Sequence, residues 1–224
     1  MCGRFTLTRN PVEAVPFLRG LPIPEPFQPR YNIAPGQLIW VTAAAEGRLR
    51  WLPVRWGLTP PWASGPATSK RFINARRETV FEKPAFRRAF LRRRCLIWAD
   101  GFYEWHRSGR GRAQPYYIRF RDGGVFAMAG LWEEGHDPKG ESELTGAILT
   151  MEAIPPVRLI HARMPLILPP ESWEQWLLAP PQEARSVLGH LSPPAPEALE
   201  VYAVSMRVND PRVDEPGLID PLNT

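Results

Sequence analysis

The sequence predicts an α+β fold, a single compact domain of mostly antiparallel strands, partly closed, with a few short helices. Three observations predict it. Eight alternating or β-rich runs lie along the chain, at 37–44, 48–57, 95–100, 102–107, 115–120, 125–133, 144–150 and 199–205. Helical stretches are fewer and rarely alternate with those runs, unlike the pattern of a doubly wound sheet. A length of 224 residues, 44% hydrophobic, fits one domain over residues 1–224 whose core needs neither disulfides nor structural metal.

In chain order, a helix is predicted from Pro11 to about Leu18, then an extended Pro-rich connection at 22–29 and a turn at Ala34-Pro35-Gly36. Strands 37–44 and 48–57 follow, and a basic helix is predicted over 76–91. Four strands then lead to an exposed hairpin tip at 134–142 and the strand at 144–150. Helices are expected at 156–160 and at 170–188, where Glu171, Trp173 and Trp176 open an amphipathic pattern, before the last strand. Twenty-seven prolines punctuate these short elements, and nine tryptophans among them argue against a disordered tract.

Composition narrows the class of protein. No stretch reaches the roughly 18 apolar residues of a membrane helix, and Arg4 and Arg9 flank only a short apolar patch near the start. A cytoplasmic protein, with no membrane partner, is expected. Two cysteines, Cys2 and Cys95, are too few for a disulfide framework or a four-cysteine zinc site, and no metal or other cofactor is expected. The net charge is +5, and residues 70–94 alone carry ten basic against two acidic side chains, from Lys70 to Arg94. Such a segment favours a polyanionic partner, and arginine suits phosphates and bases, although a GC-rich genome also inflates arginine.

Cys2 is the most unusual residue. Removal of Met1 leaves it with a free α-amine beside a thiol, whose ordinary pKa values of about 7.7–8.0 and 8.5 give each an appreciable nucleophilic fraction near neutrality. An aldehyde meeting this 1,2-aminothiol forms an imine and then a five-membered thiazolidine. The run Gly101-Phe102-Tyr103-Glu104-Trp105 follows an apolar strand; alternation puts Tyr103 and Trp105 on one face and Glu104 on the other, between aromatics that can raise its carboxyl pKa. His161 ends a helical stretch with Arg163 close by, suited to proton transfer near neutrality and to holding an anion. Asn74, Arg76 and Arg77 enter the basic segment at a predicted helix start, a natural phosphate site. With Trp56, Trp62 and Trp105 these arginines suit single-stranded nucleic acid. Read alone, each of these residues also has an ordinary structural role.

Six ordered motifs span nearly the whole chain: Met1-Cys2-Gly3-Arg4-Phe5, Tyr31-Asn32-Ile33-Ala34-Pro35-Gly36-Gln37, Arg55-Trp56-Gly57-Leu58, Asn74 to Thr79, Gly101 to Trp105 and His161 to Pro165. With them the sequence resembles the SRAP (SOS-response-associated peptidase) family. The resemblance implies a mixed α+β fold with β-barrel character and a basic groove for single strands. It implies covalent capture and shielding of abasic sites in single-stranded DNA, in the DNA damage response, with an accompanying lyase step. Carried onto this chain, Cys2 is the nucleophile, Glu104 orients or deprotonates its amine, Asn74 hydrogen-bonds the adduct and His161 is the acid or base at the sugar oxygens. Arg4, Asn32, Arg76, Thr150 and Arg163 are the implied polar DNA contacts, and Trp62 and Trp105 the stacking ones. The expected partners are abasic single-stranded DNA and replication-fork proteins, for a monomer associated with the nucleoid when bound. Trp98 stands where the family has proline, and Ile154 where it has asparagine. An N-terminal-nucleophile peptidase or amidase is the alternative, with the Cys2 thiolate attacking an amide. A non-catalytic single-strand binder is a third reading.

Overall fold

The structure is a computed structural model that describes residues 2–21, 26–45, 47–60, 62–63, 71–109, 111–137 and 139–222. Met1, Lys70, Pro138 at the hairpin tip and the 22–25 part of the Pro-rich connection lie outside the described residues. The chain runs through β1 (Phe5–Leu7), α1 (Pro11–Ala14), β2 (Arg30–Ile33), β3 (Leu38–Ala45), β4 (Arg48–Trp56), β5 (Asn74–Arg76) and α2 (Pro84–Arg92). It continues through β6 (Arg94–Ala99), β7 (Gly101–His106), β8 (Gln114–Phe120), β9 (Phe126–His136), β10 (Ser142–Glu152), β11 (Arg163–Pro165), β12 (Ile167–Leu168), α3 (Trp173–Leu178), α4 (Ala184–His190) and β13 (Leu199–Ala203).

Strands β3, β4, β10, β9 and β6 close on themselves as a five-stranded barrel, antiparallel at every contact except the parallel pairing of β4 with β10. A second sheet, in the order β13-β8-β7-β1-β2, is antiparallel throughout. Period-two alternation sorts the core. On β6, Cys95, Ile97 and Ala99 join the cluster that also holds Phe102 and Ile118 of the second sheet, while Leu96 and Trp98 join the cluster beneath the helices with Trp173 and Trp176. Both faces of β6 are therefore buried, which is why it reads as a continuous apolar run.

Prolines set the helix boundaries. The helix predicted over 11–18 divides, because Val15 precedes Pro16 and adopts an extended conformation, leaving α1 and a 3-10 turn at Pro16–Leu18. The helix predicted over 170–188 likewise breaks at Ala179, which precedes Pro180 and is extended. The stretch at 156–160 is a 3-10 turn, Val157–Leu159. The helix predicted over 76–91 is corrected more deeply. Asn74–Arg76 is a strand paired in parallel with Ile148–Thr150, and the Arg77 amide donates to the Thr150 carbonyl at 2.8 Å. The helix begins only at Pro84, whose missing N–H is harmless in a first turn, and buries Phe86, Ala89 and Phe90 on one face. Arg76 and Arg77 therefore do not sit at a helix start.

Candidate active site and nucleic-acid groove

Strand pairing delivers the start of the chain to the interior. Phe5 of β1 opposes Phe102 of β7, and the Tyr103 amide donates to the Arg4 carbonyl at 3.0 Å, so residues before Arg4 run toward the Glu104 end of β7. Cys2 is fully buried in the inter-sheet cluster. Asn74, at the start of β5, donates its side-chain nitrogen to the Cys2 carbonyl at 2.9 Å. Burial pushes the Cys2 thiol well above its ordinary range, and the nearby Glu104 carboxylate pushes it further.

On β7 the alternation holds. Tyr103 and Trp105 enter the cluster under the C-terminal segment, and Glu104 faces the other way, 2% exposed rather than a solvated strand residue. Burial raises its carboxyl above the usual carboxylate range, opposed by the charge of His161. The His161 Nδ1 lies 4.0 Å from Glu104 Oε2, 2.9 Å from the Arg163 amide nitrogen and 3.1 Å from the Arg163 carbonyl oxygen. Cys2, Asn74, Glu104 and His161 thus come together from four separate segments. The set gathers a buried thiol, an amide donor on its main chain, a buried carboxyl and an imidazole.

Beside this set runs a groove of about 680 Å³, lined by Arg76, Arg77, Phe81, Met151, Arg163 and Arg185 among others. Arg76 is exposed at the end of β5. Thr150 is buried, its hydroxyl donating to the Ala75 carbonyl at 3.4 Å and its carbonyl accepting from Arg163 at 2.6 Å. Trp62 is 61% exposed, whereas Trp105 is half-buried and donates its indole N–H to Asn209 at 2.7 Å. Sequence reasoning gave no role to Phe81 or Arg185, whose guanidinium lies 4.2 Å above the Phe81 ring. Arg185 reaches the groove from α4, far along the chain, and Phe81 follows Arg76 and Arg77 without any charge or motif to mark it.

Other residues singled out by sequence serve the fold instead. Asn32 is fully buried and donates to the carbonyls of Val213 at 2.7 Å and Asp210 at 3.0 Å, so its amide is spent within the protein and is closed to DNA. Arg4 donates to Asn32 Oδ1 at 2.8 Å and to the Val208 carbonyl at 2.5 Å, fastening the C-terminal segment to β1 and β2 rather than facing the groove. Trp56 is core, edge-on to Phe5 at 5.2 Å, with its N–H on the Ile73 carbonyl. The basic segment is not one patch: Arg71 pairs with Glu143, Arg93 with Glu133 and Glu134, and buried Arg94 donates to the carbonyls of Phe90 and Trp176. Trp98 donates to Thr42 at 2.8 Å and packs edge-on against Trp173. Among the described residues no three His, Cys, Asp or Glu side chains gather to hold a metal ion, and no helix is long and apolar enough to cross a membrane.

Comparisons with known proteins bear on the whole chain. The chain is 37% identical over 223 residues to the abasic site processing protein YoqW of Bacillus subtilis, covering 98% of this chain and 99% of that protein. It is 33% identical to the abasic site processing protein YedK of Escherichia coli, with 79% of each chain covered. A solved structure from Bacteroides thetaiotaomicron superposes with a TM-score of 0.82 at 25% identity, covering 99% of this chain and all of the other. Residues 1–211 match the family described as SOS response associated peptidase (SRAP). The chain belongs to the SRAP family.

Proposed function

We propose that this chain processes abasic sites in single-stranded DNA by capturing them covalently through Cys2, once removal of Met1 has freed its α-amine. The relatives are abasic site processing proteins by name. The observation that carries the finer reading is the convergence on residue 2: Asn74 on its carbonyl at 2.9 Å, inside a core whose next polar groups are Glu104 and His161. In the proposed sequence the Cys2 amine attacks the aldehyde of the ring-opened sugar, water leaves and an imine forms. The thiol then adds across C=N; sulfur bonds to carbon, the thiol proton ends on nitrogen, and a thiazolidine closes.

Each side chain has a stated part. Glu104 takes a proton from the amine and returns one to the departing water, which its raised carboxyl pKa suits. His161 exchanges protons with the sugar oxygens, Asn74 orients residue 2, Arg76 and Arg163 hold flanking phosphates, and Trp62 and Trp105 stack on bases. Elimination of the 3′ phosphate from the imine supplies the lyase step. A buried neutral thiol fits this order, because it acts second, on an imine already formed. Amide attack by a standing thiolate needs a depressed thiol pKa, and burial moves Cys2 the other way. The test is a denaturing gel of the protein with an oligonucleotide bearing one abasic site, beside an intact oligonucleotide and the Cys2→Ala variant, with Met1 removal verified by intact mass. A heat-stable shifted band needing both lesion and Cys2 is expected; an equal band from Cys2→Ala overturns the mechanism.

A further inference from the structure

The guanidinium fork of Arg163 is already filled. Its Nη1 donates to Glu78 Oε1 at 2.8 Å and its Nη2 to Glu78 Oε2 at 3.0 Å, the two-pronged pairing that arginine also makes with phosphate. Nη2 donates as well to the Thr150 carbonyl at 2.6 Å, which fixes the plane of the fork, and Nε is buried without a hydrogen-bond partner. The Arg163 side chain is 16% exposed and that of Glu78 47%, so the carboxylate is the solvent-side member of the pair. It also lies near enough to Arg76 to feel a second positive charge. One carboxylate therefore sits among the two arginines that the proposed function assigns to phosphates, in the groove they share.

We infer that Glu78 is a resident phosphate mimic. Its carboxylate occupies the Arg163 fork in the free protein and is displaced by a backbone phosphate of the incoming strand. The inference deepens the DNA reading and rests on it. Displacement is cheap, since a half-exposed carboxylate regains its hydration in the open groove. It is still a cost on every strand that binds. An undamaged strand must meet it from non-covalent contacts alone, whereas a strand with an abasic site is retained by the bond to Cys2. Glu78 thereby weights the protein toward damaged DNA, and it holds the fork planar and ready until a phosphate arrives.

The test measures binding of a lesion-free single-stranded oligonucleotide, so that no covalent step contributes, over a range of salt. The proteins are the full chain, Glu78→Gln, Arg163→Ala and the double variant, each checked for folding by thermal melting. Glu78→Gln is expected to bind about fivefold tighter at low salt, the size of a half-exposed ion pair. Its salt slope should stay close to the parent's, because the same phosphates lose their counterions in both, whereas Arg163→Ala should lower the slope by about 0.7. Arg163→Ala should bind more weakly than the parent, and the double variant should match it. Unchanged or weaker binding by Glu78→Gln, with Arg163→Ala still weak, overturns the mimic and leaves the phosphate contact standing. Parent-like binding by Arg163→Ala removes that residue's phosphate contact and the mimic with it.

Discussion

Glu104 shows how one buried residue couples stability to chemistry. Its carboxyl pKa is raised chiefly by burial, so the folded chain holds that proton more tightly than the unfolded chain does. The stability this contributes is full below the ordinary glutamate value of about 4.3 and is lost as pH rises through the raised folded value. Glu104→Gln keeps a neutral group of the same shape at every pH. Its melting temperature should therefore gain on the parent as pH rises, by about 2–4 °C for each kcal/mol, and a difference independent of pH would remove the burial argument. The same variant should crosslink about a hundredfold more slowly, and its rate should fall less steeply with falling pH than the parent's, keeping only the fall that protonation of the Cys2 amine causes. Of the four converging residues, Cys2, Glu104 and His161 are legible in the sequence because their chemistry is carried by residue type. Arg4 and Asn32 are DNA contacts only as the family resemblance implies, and the sequence could not reveal that backbone carbonyls near residue 210 consume their donors.

At the scale of elements, the junction of β1 and β7 decides where Cys2 sits. Thr6 donates to Asp100 at 2.5 Å and touches the Tyr117 hydroxyl at 2.8 Å, while Asp100 also accepts from the Thr8 amide and hydroxyl. Gly101 makes room for this packing, since a Cβ there would lie 2.1 Å from the Tyr117 hydroxyl oxygen. Gly101→Ala should cost about 1–3 kcal/mol in chemical denaturation and slow crosslinking by loosening β1; parent-like stability would show that the junction yields freely. The long strands are legible because alternation or continuous apolarity persists over many residues, as on β6 and β7. The short ones are not. β1 and β5 have three residues each, and their pairing depends on partners far along the chain, Phe102 for Phe5 and Ile148 for Asn74. A run of arginines around a helix-compatible pattern then outweighs the strand signal at 74–76, and only the β10 backbone settles it.

For the molecule as a whole, two sheets with a shared core bring residues from the start and from three later segments of the chain to one place, with an arginine-lined groove beside it. Charge is used twice: inward, where Arg71, Arg93 and Arg94 bind carboxylates and carbonyls of the fold, and outward at Arg76 and Arg185. This division explains why a net charge concentrated in residues 70–94 overstates the surface open to a polyanion. The central claim is that the amine and the thiol of Cys2 both bond to one sugar carbon. Its most direct test is mass spectrometry of the N-terminal peptide after the protein has reacted with an abasic oligonucleotide and the DNA has been digested. The account predicts a peptide beginning at Cys2 that carries the sugar remnant with loss of one water, its thiol closed to alkylation and its amine closed to acylation. A remnant attached elsewhere, or a Cys2 whose thiol still alkylates, would contradict it.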